Sequence, residues 1–225
     1  KSFGTNIALQ GVDLRIRKGD SLVLIGSSGS GKTLILKCIM GLIPHDDGLI
    51  AFEGRDVNTY SDGDRDEFLN NFGMTFQKSG LFDSMPVWEN VSFKYKYKGV
   101  LSNTERRNLA SQKLELVGLP SNVSELYPAE LSGGMQKRVG IARAIFSSPD
   151  ILFFDEPTTG LDPLMSRKII ALIKEIMASS MKSAITITHD INLAISLASE
   201  ILLLHEGHVE WSGLKTKIFK TKSKL

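Results

Sequence analysis

The sequence contains a single cysteine in 225 residues, Cys38. One cysteine excludes an internal disulfide and any zinc site built from several thiolates, so a reducing compartment is the simpler interpretation. No apolar run is long enough for a transmembrane helix and the chain does not start with a secretory signal, so we expect a soluble protein. The formal net charge is only +2. A charge this small gives no electrostatic argument for a dedicated nucleic-acid binder.

Apolar segments alternate with helical ones along most of the chain, and this alternation predicts an α/β fold. Continuous apolar runs are typical of parallel strands buried on both faces. Five segments have this form: SLVLI (21–25), FGMTF (72–76), DILFFD (150–155), SAITIT (183–188) and EILLLH (200–205). A small antiparallel layer is predicted from three earlier segments, IAL (7–9), VDLRI (12–16) and LIAFEG (49–54).

The strand pattern stops between residues 82 and 148, where the sequence predicts only helices. These helices cover VWENVSFKYKY (87–97), NTERRNLASQKLELVG (103–118) and GGMQKRVGIARAIF (133–146). We therefore expect a single domain over 1–225, in which a helical subdomain at 82–148 is inserted into a core formed by 1–81 and 149–225.

A stretch rich in glycine and serine, GSSGSGKT at residues 26–33, separates a predicted strand from a predicted helix. It fits G-x-x-x-x-G-K-[ST], the P-loop, in the strand-loop-helix context that this motif requires. Small residues allow backbone N–H groups to converge on a phosphate, and the helix adds the positive end of its dipole. We expect Lys32 to reach the β- and γ-phosphates and the Thr33 hydroxyl to bind Mg²⁺. The predicted cradle consists of Gly26, Ser27, Ser28, Gly29, Ser30, Gly31, Lys32 and Thr33.

Two carboxylates, Asp155 and Glu156, end the apolar strand ILFFD. They are predicted to lie at the carboxyl edge of the sheet, where α/β proteins bind ligands. Asp155 can hold the Mg²⁺ shell, and Glu156 can polarise the water that attacks the γ-phosphate. The alternative is that both carboxylates only cap the turn before Pro157.

A second candidate anion site lies far along the chain, in LSGGM at residues 131–135. Ser132 is a good helix N-cap, and Gly133 and Gly134 leave backbone N–H groups bare at a helix start. With this third feature the sequence resembles the ATP-binding cassette (ABC) ATPases over essentially all 225 residues. The resemblance implies a P-loop NTPase core of the RecA type with ATP and Mg²⁺ as ligands. It also implies a head-to-tail homodimer, in which the signature loop of one subunit closes on the γ-phosphate held by the other.

The resemblance carries further roles to individual positions. Gln77 matches the Q-loop glutamine that contacts Mg²⁺ and couples to the transport partner, and Asp162 matches the D-loop aspartate that crosses the dimer interface. His189 matches the switch histidine that contacts the γ-phosphate and orients Glu156, and Phe3 stands where the family stacks an aromatic ring on adenine. The resemblance thus implies a catalytic set of Glu156, His189 and Lys32, and Mg²⁺ ligands Thr33, Gln77 and Asp155.

One signature position departs from many ABC ATPases, because Met135 stands where they carry glutamine. FQKSGLFDSMPVWENVSF (76–93) and LSGGMQKRVGIARAI (131–145) together resemble the ATPases of the Mla and Mce systems, which move phospholipids or related lipids across the bacterial envelope. That resemblance implies a peripheral subunit on the cytoplasmic face of the bacterial inner membrane, which contacts the membrane through an integral permease and binds no nucleic acid. The alternatives are the ATPase of a small-solute importer and a soluble ABC ATPase that acts on ribosomes or DNA.

Apolar and aromatic side chains are concentrated in the loop-like segment after Gln77. Such side chains are either packed under the helical insertion or kept for a partner, because methionine and aromatic residues are enriched at interface cores. The family resemblance favours a partner, since ABC ATPases receive a permease helix near this loop. The hypothesis is that part of the segment lines that groove, with Leu81, Phe82, Met85, Val87 and Trp88 as candidates.

Overall fold

The computed structural model describes residues 1–220. The chain forms two compact units: the first combines Lys1–Asn71 with the chain from Ser183 onward, and the second is Phe72–Lys182. The helical subdomain predicted at 82–148 falls inside the second unit, and its boundaries stay a prediction. A solvated terminus is predicted for the lysine-rich stretch 215–225, of which residues 221–225 lie outside the described residues. Among the described helices, none has both the length and the apolar character needed to cross a bilayer.

Helices and strands alternate along the chain, as the sequence predicts. In chain order they are β1 (Ser2–Phe3), β2 (Asn6–Ile7), β3 (Ser21–Ile25), α1 (Lys32–Ile39), β4 (Ala51–Phe52), β5 (Arg55–Asp56), α2 (Asp62–Asn70), β6 (Phe72–Thr75), α3 (Val87–Val91), α4 (Asn103–Leu116), α5 (Gly133–Ala144), β7 (Ile151–Asp155), α6 (Pro163–Ser180), β8 (Ser183–Thr188), α7 (Ile191–Leu197), β9 (Glu200–His205) and β10 (His208–Leu214). Short 3₁₀ segments cover Val57–Thr59, Phe93–Tyr95, Ser121–Glu125, Pro128–Glu130 and Lys215–Lys220.

The first unit is built on a sheet with the strand order β10, β9, β3, β8. Strand β3 pairs in parallel with both β8 and β9, and β10 pairs antiparallel with β9. Every residue of β3 and of β8 is buried, as expected for apolar strands covered on both faces. Helix α7 packs on this sheet through Ala194, which shares a core with Val23 and Ile201. Cys38 is buried in α1, and burial raises the pKa of its thiol.

The second unit contains the parallel pair β6 and β7, in register from Phe72 opposite Ile151 to Thr75 opposite Phe154. Helices α3, α4 and α5 pack against one another, and α5 also packs on β6. No strand lies between residues 82 and 148, a stretch that the structure describes in full. All five predicted parallel strands are confirmed, since each pairs in parallel with a neighbour in its own unit.

The antiparallel layer predicted from segments at 7–9, 12–16 and 49–54 is smaller than expected. It consists of two separate ribbons, β1 with β2 and β4 with β5, and each of these strands is two residues long. Residues 12–16 alternate between half-buried and exposed, yet they form no strand within the described chain. The alternation reports which side chains face the protein, whereas a strand also needs a neighbour for its backbone hydrogen bonds. The prediction of a strand at 12–16 is therefore wrong.

Strand β6 approaches α5 most closely at Gly73. A Cβ atom there would overlap the carbonyl oxygen of Ala144, a backbone atom that cannot rotate away. We expect Gly73→Ala to lower the free energy of unfolding by about 1–3 kcal/mol, because the helix would have to shift. Urea denaturation followed by tryptophan fluorescence measures this change.

The matched control is Gly63→Ala in α2, where the nearest atom to the added Cβ is the Ser61 hydroxyl oxygen at 4.0 Å. Replacing an exposed helical glycine by alanine is expected to raise stability by up to about 1 kcal/mol. Equal effects of the two substitutions would contradict the packing described for Gly73.

Candidate functional site

The glycine-rich loop joins β3 to α1, and two of its glycines lie where a side chain would not fit. A Cβ at Gly26 would overlap the carbonyl oxygen of Leu204, and one at Gly31 would lie 2.5 Å from Leu9 Cδ2. Gly31 has a φ of 104° and Gly29 a φ of 80°, backbone conformations that L side chains rarely adopt. Glycine is therefore required for space at Gly26, for backbone conformation at Gly29, and for both reasons at Gly31.

Helix α1 begins at Lys32, and among the described residues none supplies a side-chain cap, because the N-cap is Gly31. The first amide groups of a helix have no partner inside the helix. The Lys32 ammonium lies over the loop and donates to the carbonyl oxygens of Gly26 at 2.8 Å and Ser27 at 2.7 Å. Backbone amides, the positive end of the helix dipole and a buried cation thus meet at one point. This donor set fits a phosphate group.

His189 lies beside this loop because of the sheet register. Ile25 at the end of β3 pairs with Thr188 at the end of β8, so the loop and His189 follow the paired ends of neighbouring parallel strands. The His189 side chain is exposed. The structure therefore brings together two predicted parts of the site, the P-loop and the switch histidine, at one edge of the first unit's sheet.

Phe3 lies on the short strand β1, and the residue is 51% exposed. The segment that follows β2 runs beside the P-loop, since a Cβ at Gly31 would lie 3.1 Å from the carbonyl oxygen of Ala8. This arrangement keeps Phe3 within the same unit as the loop. Its stacking on adenine remains a prediction.

Gln77, Asp155 and Glu156 come together in the second unit. Strands β6 and β7 are parallel neighbours whose last pair is Thr75 with Phe154, so all three residues follow at the same edge. Glu156 has a φ of 48°, in the left-handed region that residues other than glycine rarely adopt. The Thr159 hydroxyl donates to Glu156 Oε2 at 3.1 Å, so this carboxylate takes part in the turn that follows β7.

The signature loop precedes α5 in the second unit. The Ser132 hydroxyl accepts a hydrogen bond from the Met135 amide at 3.3 Å, as an N-cap does. Gly133 is exposed, and no described atom lies within 4 Å of where its Cβ would be. A Cβ at Gly134 would lie 3.0 Å from Met165 Cγ, so α6 passes close to this glycine. The loop therefore presents open backbone at Gly133 and close packing at Gly134.

Asp162 caps α6 in the same unit. Its carboxylate accepts from the Met165 amide at 2.9 Å. The P-loop and His189 belong to the first unit, and the carboxylates, Gln77, Asp162 and the signature loop to the second. Across the described chain, no three histidine, cysteine, aspartate or glutamate side chains form a metal-binding group. The predicted Mg²⁺ ligands Thr33, Gln77 and Asp155, which come from both units, remain a prediction.

Sequence analysis missed two cations of α5 that hold the chain after β6. Arg143 donates to the carbonyl oxygens of Ser79 and Gly80, both at 2.6 Å, and burial lowers the pKa of its guanidinium. Lys137 donates to the carbonyl oxygen of Gln77. The position of Lys137 on its helix could have indicated this contact. Lys137 lies on the same face of α5 as Gly140, three residues later, and that face is buried.

Residues 81–88, the segment proposed to line a groove for the permease, are called the candidate permease segment. Its backbone is held by Asn90, a residue that the sequence analysis also missed. Asn90 is fully buried, its Oδ1 accepts from the Phe82 amide at 2.7 Å, and its Nδ2 donates to the Met85 carbonyl at 2.9 Å. Val87 and Trp88 are buried in the same unit, which makes them structural. Phe82 is 41% exposed, and Leu81 and Met85 are half-buried. Of the five side chains proposed to line a groove for the permease, only these three therefore reach the surface.

These features define a class of protein. A glycine-lined loop leads from a buried parallel strand into an uncapped helix with a lysine at its start, and two carboxylates end another parallel strand. The chain is a P-loop nucleotide-binding protein of the α/β class. The ABC transporter family matches residues 9–159. The chain therefore belongs to the ABC transporter family.

Similar proteins with assigned names include transport ATPases. The methionine import ATP-binding protein MetN of Rhizobium johnstonii is 37% identical over 219 residues, which cover 97% of this chain and 60% of that protein. The probable ribonucleotide transport ATP-binding protein mkl of Mycobacterium leprae is 35% identical over 213 residues, covering 95% of this chain and 61% of that protein. The chain thus spans about three fifths of the length of these curated relatives.

Solved structures of similar fold include an ATP-binding cassette and a component of an ABC transporter complex. The ATP-binding cassette MJ0796, in a dimeric post-hydrolysis state bound to ADP and Pi, superposes with a TM-score of 0.82 at 33% identity, covering 92% of this chain and 90% of that one. The protein cbiO1 from Clostridium perfringens, part of the ABC transporter complex cbiONQ, superposes with a TM-score of 0.84 at 28% identity. The superposition covers 96% of this chain and 85% of that one. The predicted P-loop NTPase fold is confirmed.

Removal of the loop cation tests the phosphate cradle. We expect Lys32→Met to abolish tight Mg·ATP binding, because it deletes the side-chain cation at the start of α1 while it keeps most of the side-chain volume. Isothermal titration calorimetry measures the loss. Lys37→Met, an exposed lysine in the last turn of the same helix, is the matched control and is expected to bind like the parent. Unchanged affinity of Lys32→Met would refute the cradle.

Proposed function

We propose that this chain is the ATP-hydrolysing subunit of an ABC transporter that imports a small solute, and that it works as a head-to-tail homodimer on a membrane permease. The observation that carries the proposal is the phosphate cradle, in which uncapped helix α1, loop glycines and Lys32 converge. The dimeric state of a related cassette bound to ADP and Pi supports the dimer.

The class of solute follows from the curated relatives. They are named for the import of methionine and for the transport of ribonucleotide, and both molecules are small and polar. These names support the small-solute alternative better than the phospholipid transport predicted from Met135 and its surroundings. The lipid prediction therefore becomes the alternative to be tested, and it rests on the resemblance of residues 76–93 and 131–145 alone.

Within this proposal, Lys32 and the loop amides bind and orient the triphosphate. Thr33, Gln77 and Asp155 hold Mg²⁺, which neutralises charge on the phosphate oxygens when it is bound. Phe3 supports the adenine ring with its exposed face. Affinity for the phosphates therefore depends on the charge and amide groups of the cradle. Affinity for the base depends on stacking against Phe3.

Glu156 acts as the general base that takes a proton from the attacking water, and His189 orients it. The exposed backbone at Gly133, with Ser132 beside it, is accessible to a second subunit and supports a role for the signature loop in dimerisation. Asp162, at the start of α6, is proposed to lie at the same interface. The subunit is proposed to sit on the cytoplasmic face of the bacterial inner membrane, held there by its permease, with no nucleic-acid partner.

Removal of the base separates binding from chemistry. Glu156→Gln keeps the shape of the side chain but cannot accept the proton, so we expect ATP to bind while the turnover rate falls by roughly 10²-fold or more. The variant is also expected to form an ATP-dependent dimer on size-exclusion chromatography, which Ser132→Arg in addition should prevent. Glu53→Gln is the matched control, since Glu53 is an exposed glutamate with a similar left-handed φ of 51°. Normal turnover in Glu156→Gln would remove Glu156 from the mechanism.

Introducing a negative charge into the candidate permease segment tests whether this segment contacts the permease. Phe82→Glu and Met85→Glu are expected to release the subunit from membranes while ATP binding and the unfolding transition stay unchanged, because a carboxylate is costly inside an apolar interface. Leu49→Glu, at an equally apolar side chain that is 70% exposed in the first unit, is the control. Membrane fractionation reads out the result, and retention of both segment variants would contradict docking there.

The identity of the transported molecule distinguishes the two substrate classes. We expect a permease that co-purifies with this subunit to support ATP-dependent uptake of an amino acid or a similar small polar solute in proteoliposomes. Movement of labelled phospholipid, with no uptake of small solutes, would favour the lipid alternative and would leave the ATPase assignment intact.

A further inference from the structure

Lys137 connects three parts of the second unit that the proposed reaction uses. It belongs to α5, the helix that begins directly after Ser132 of the signature loop. Its ammonium donates to the carbonyl oxygen of Gln77, after β6, and to that of Glu156, after β7, at 3.4 Å. One side chain therefore joins the signature helix to the ends of both parallel strands.

The two carbonyl groups belong to residues whose backbone orientation matters for their side chains. Glu156 has a φ of 48°, and a residue with a side chain pays a conformational penalty in this region, so the surrounding structure has to stabilise it. A hydrogen bond to its carbonyl oxygen restrains the peptide group that follows Glu156. That restraint also limits the directions in which the carboxylate can point.

Lysine is an unfavourable choice if these hydrogen bonds serve stability alone, because its charged ammonium group has to be buried. Lys137 is 9% exposed, and burial lowers the pKa of its ammonium, while the negative charges of Asp155 and Glu156 act in the opposite direction. Removing a cation from water has a cost that a neutral donor would avoid. The two carboxylates at the sheet edge offset part of that cost, so the charge of Lys137 is matched to the site and not only to the two carbonyl groups.

We propose that Lys137 is a positioning residue for ATP hydrolysis, which holds the backbone of Gln77 and Glu156 in one arrangement and ties that arrangement to the signature helix. The inference rests on the proposed function, because it assumes that Glu156 is the general base. Lys137 touches neither nucleotide nor water in this scheme. It acts through the two residues whose carbonyl groups it binds.

Two substitutions test this role by steady-state ATP hydrolysis. Lys137→Met keeps the length of the side chain but removes the donor, and we expect kcat to fall roughly 10- to 100-fold while KM for ATP stays within about twofold, since small displacements of reacting groups reduce the rate more than binding. Lys137→Gln keeps a neutral donor, and we expect an intermediate loss of kcat of about threefold to tenfold with the same KM.

Lys182→Met is the matched control. Lys182 is also a partly buried lysine whose ammonium donates to a backbone carbonyl, that of Pro149 before the other end of β7, and burial lowers its pKa as well. Its loss is expected to affect the unfolding transition as much as the loss of Lys137 does, and to leave kcat unchanged. A role of Lys137 in stability alone would make the two methionine variants alike in both measurements.

The outcomes are distinct. Parental kcat in Lys137→Met, or equal kcat losses in Lys137→Met and Lys182→Met, would overturn the positioning role. If Lys137→Met does not fold, Lys137→Gln decides: an intermediate kcat at unchanged KM supports the role, and a parental kcat overturns it. Absence of ATP hydrolysis in the unmodified protein, alone and with its permease, would instead refute the proposed function itself.

Discussion

Parallel strand pairing is the constraint that places the predicted site residues within each unit. Parallel neighbours end at the same edge of a sheet, so residues that are far apart in the sequence become neighbours once the register is set. The pairing of β3 with β8 brings His189 to the P-loop across more than 150 residues of chain. The pairing of β6 with β7 does the same for Gln77 and Asp155. Each unit therefore carries its polar groups where its buried strands end.

The N-termini of the helices differ in whether a side chain caps their first amide groups. Helices α2 and α4 begin with capping boxes, in which Ser61 with Asp64 and Ser102 with Glu105 satisfy the first amide groups internally. Helix α1 follows Gly31 and has no such side chain among the described residues. A capping side chain occupies amide groups that a phosphate would otherwise bind, so the missing cap is the feature that distinguishes α1 from these surface helices.

Much of this arrangement could be predicted from local sequence because the signals are local. Buried parallel strands require continuous apolar runs, and a phosphate cradle requires small residues at defined positions, so both are visible within a few residues. The strand predicted at 12–16 was wrong because alternation does not reveal whether a hydrogen-bonding neighbour exists. The burial of Val87 and Trp88 depends on how three helices pack, and no short pattern reports that.

The contacts of Lys137, Arg143 and Asn90 could not be predicted for a related reason. Each of these side chains binds backbone carbonyl or amide groups that are distant in sequence or belong to an irregular segment. Every residue offers the same carbonyl group, so the sequence contains no mark of which one is bound. What the sequence does show is the polar residue itself, placed on a helix face that is otherwise buried.

The position of α5 explains why such contacts are concentrated there. The helix starts at the signature loop, packs on β6, and ends at Ala144, which lies close to Gly73. Lys137 binds the chain at the carboxyl end of β6, and Arg143 binds it at Ser79 and Gly80 a few residues later. Two cations on one helix, the buried Lys137 and the half-buried Arg143, therefore join the backbone that follows β6 to the helix that begins at the signature loop.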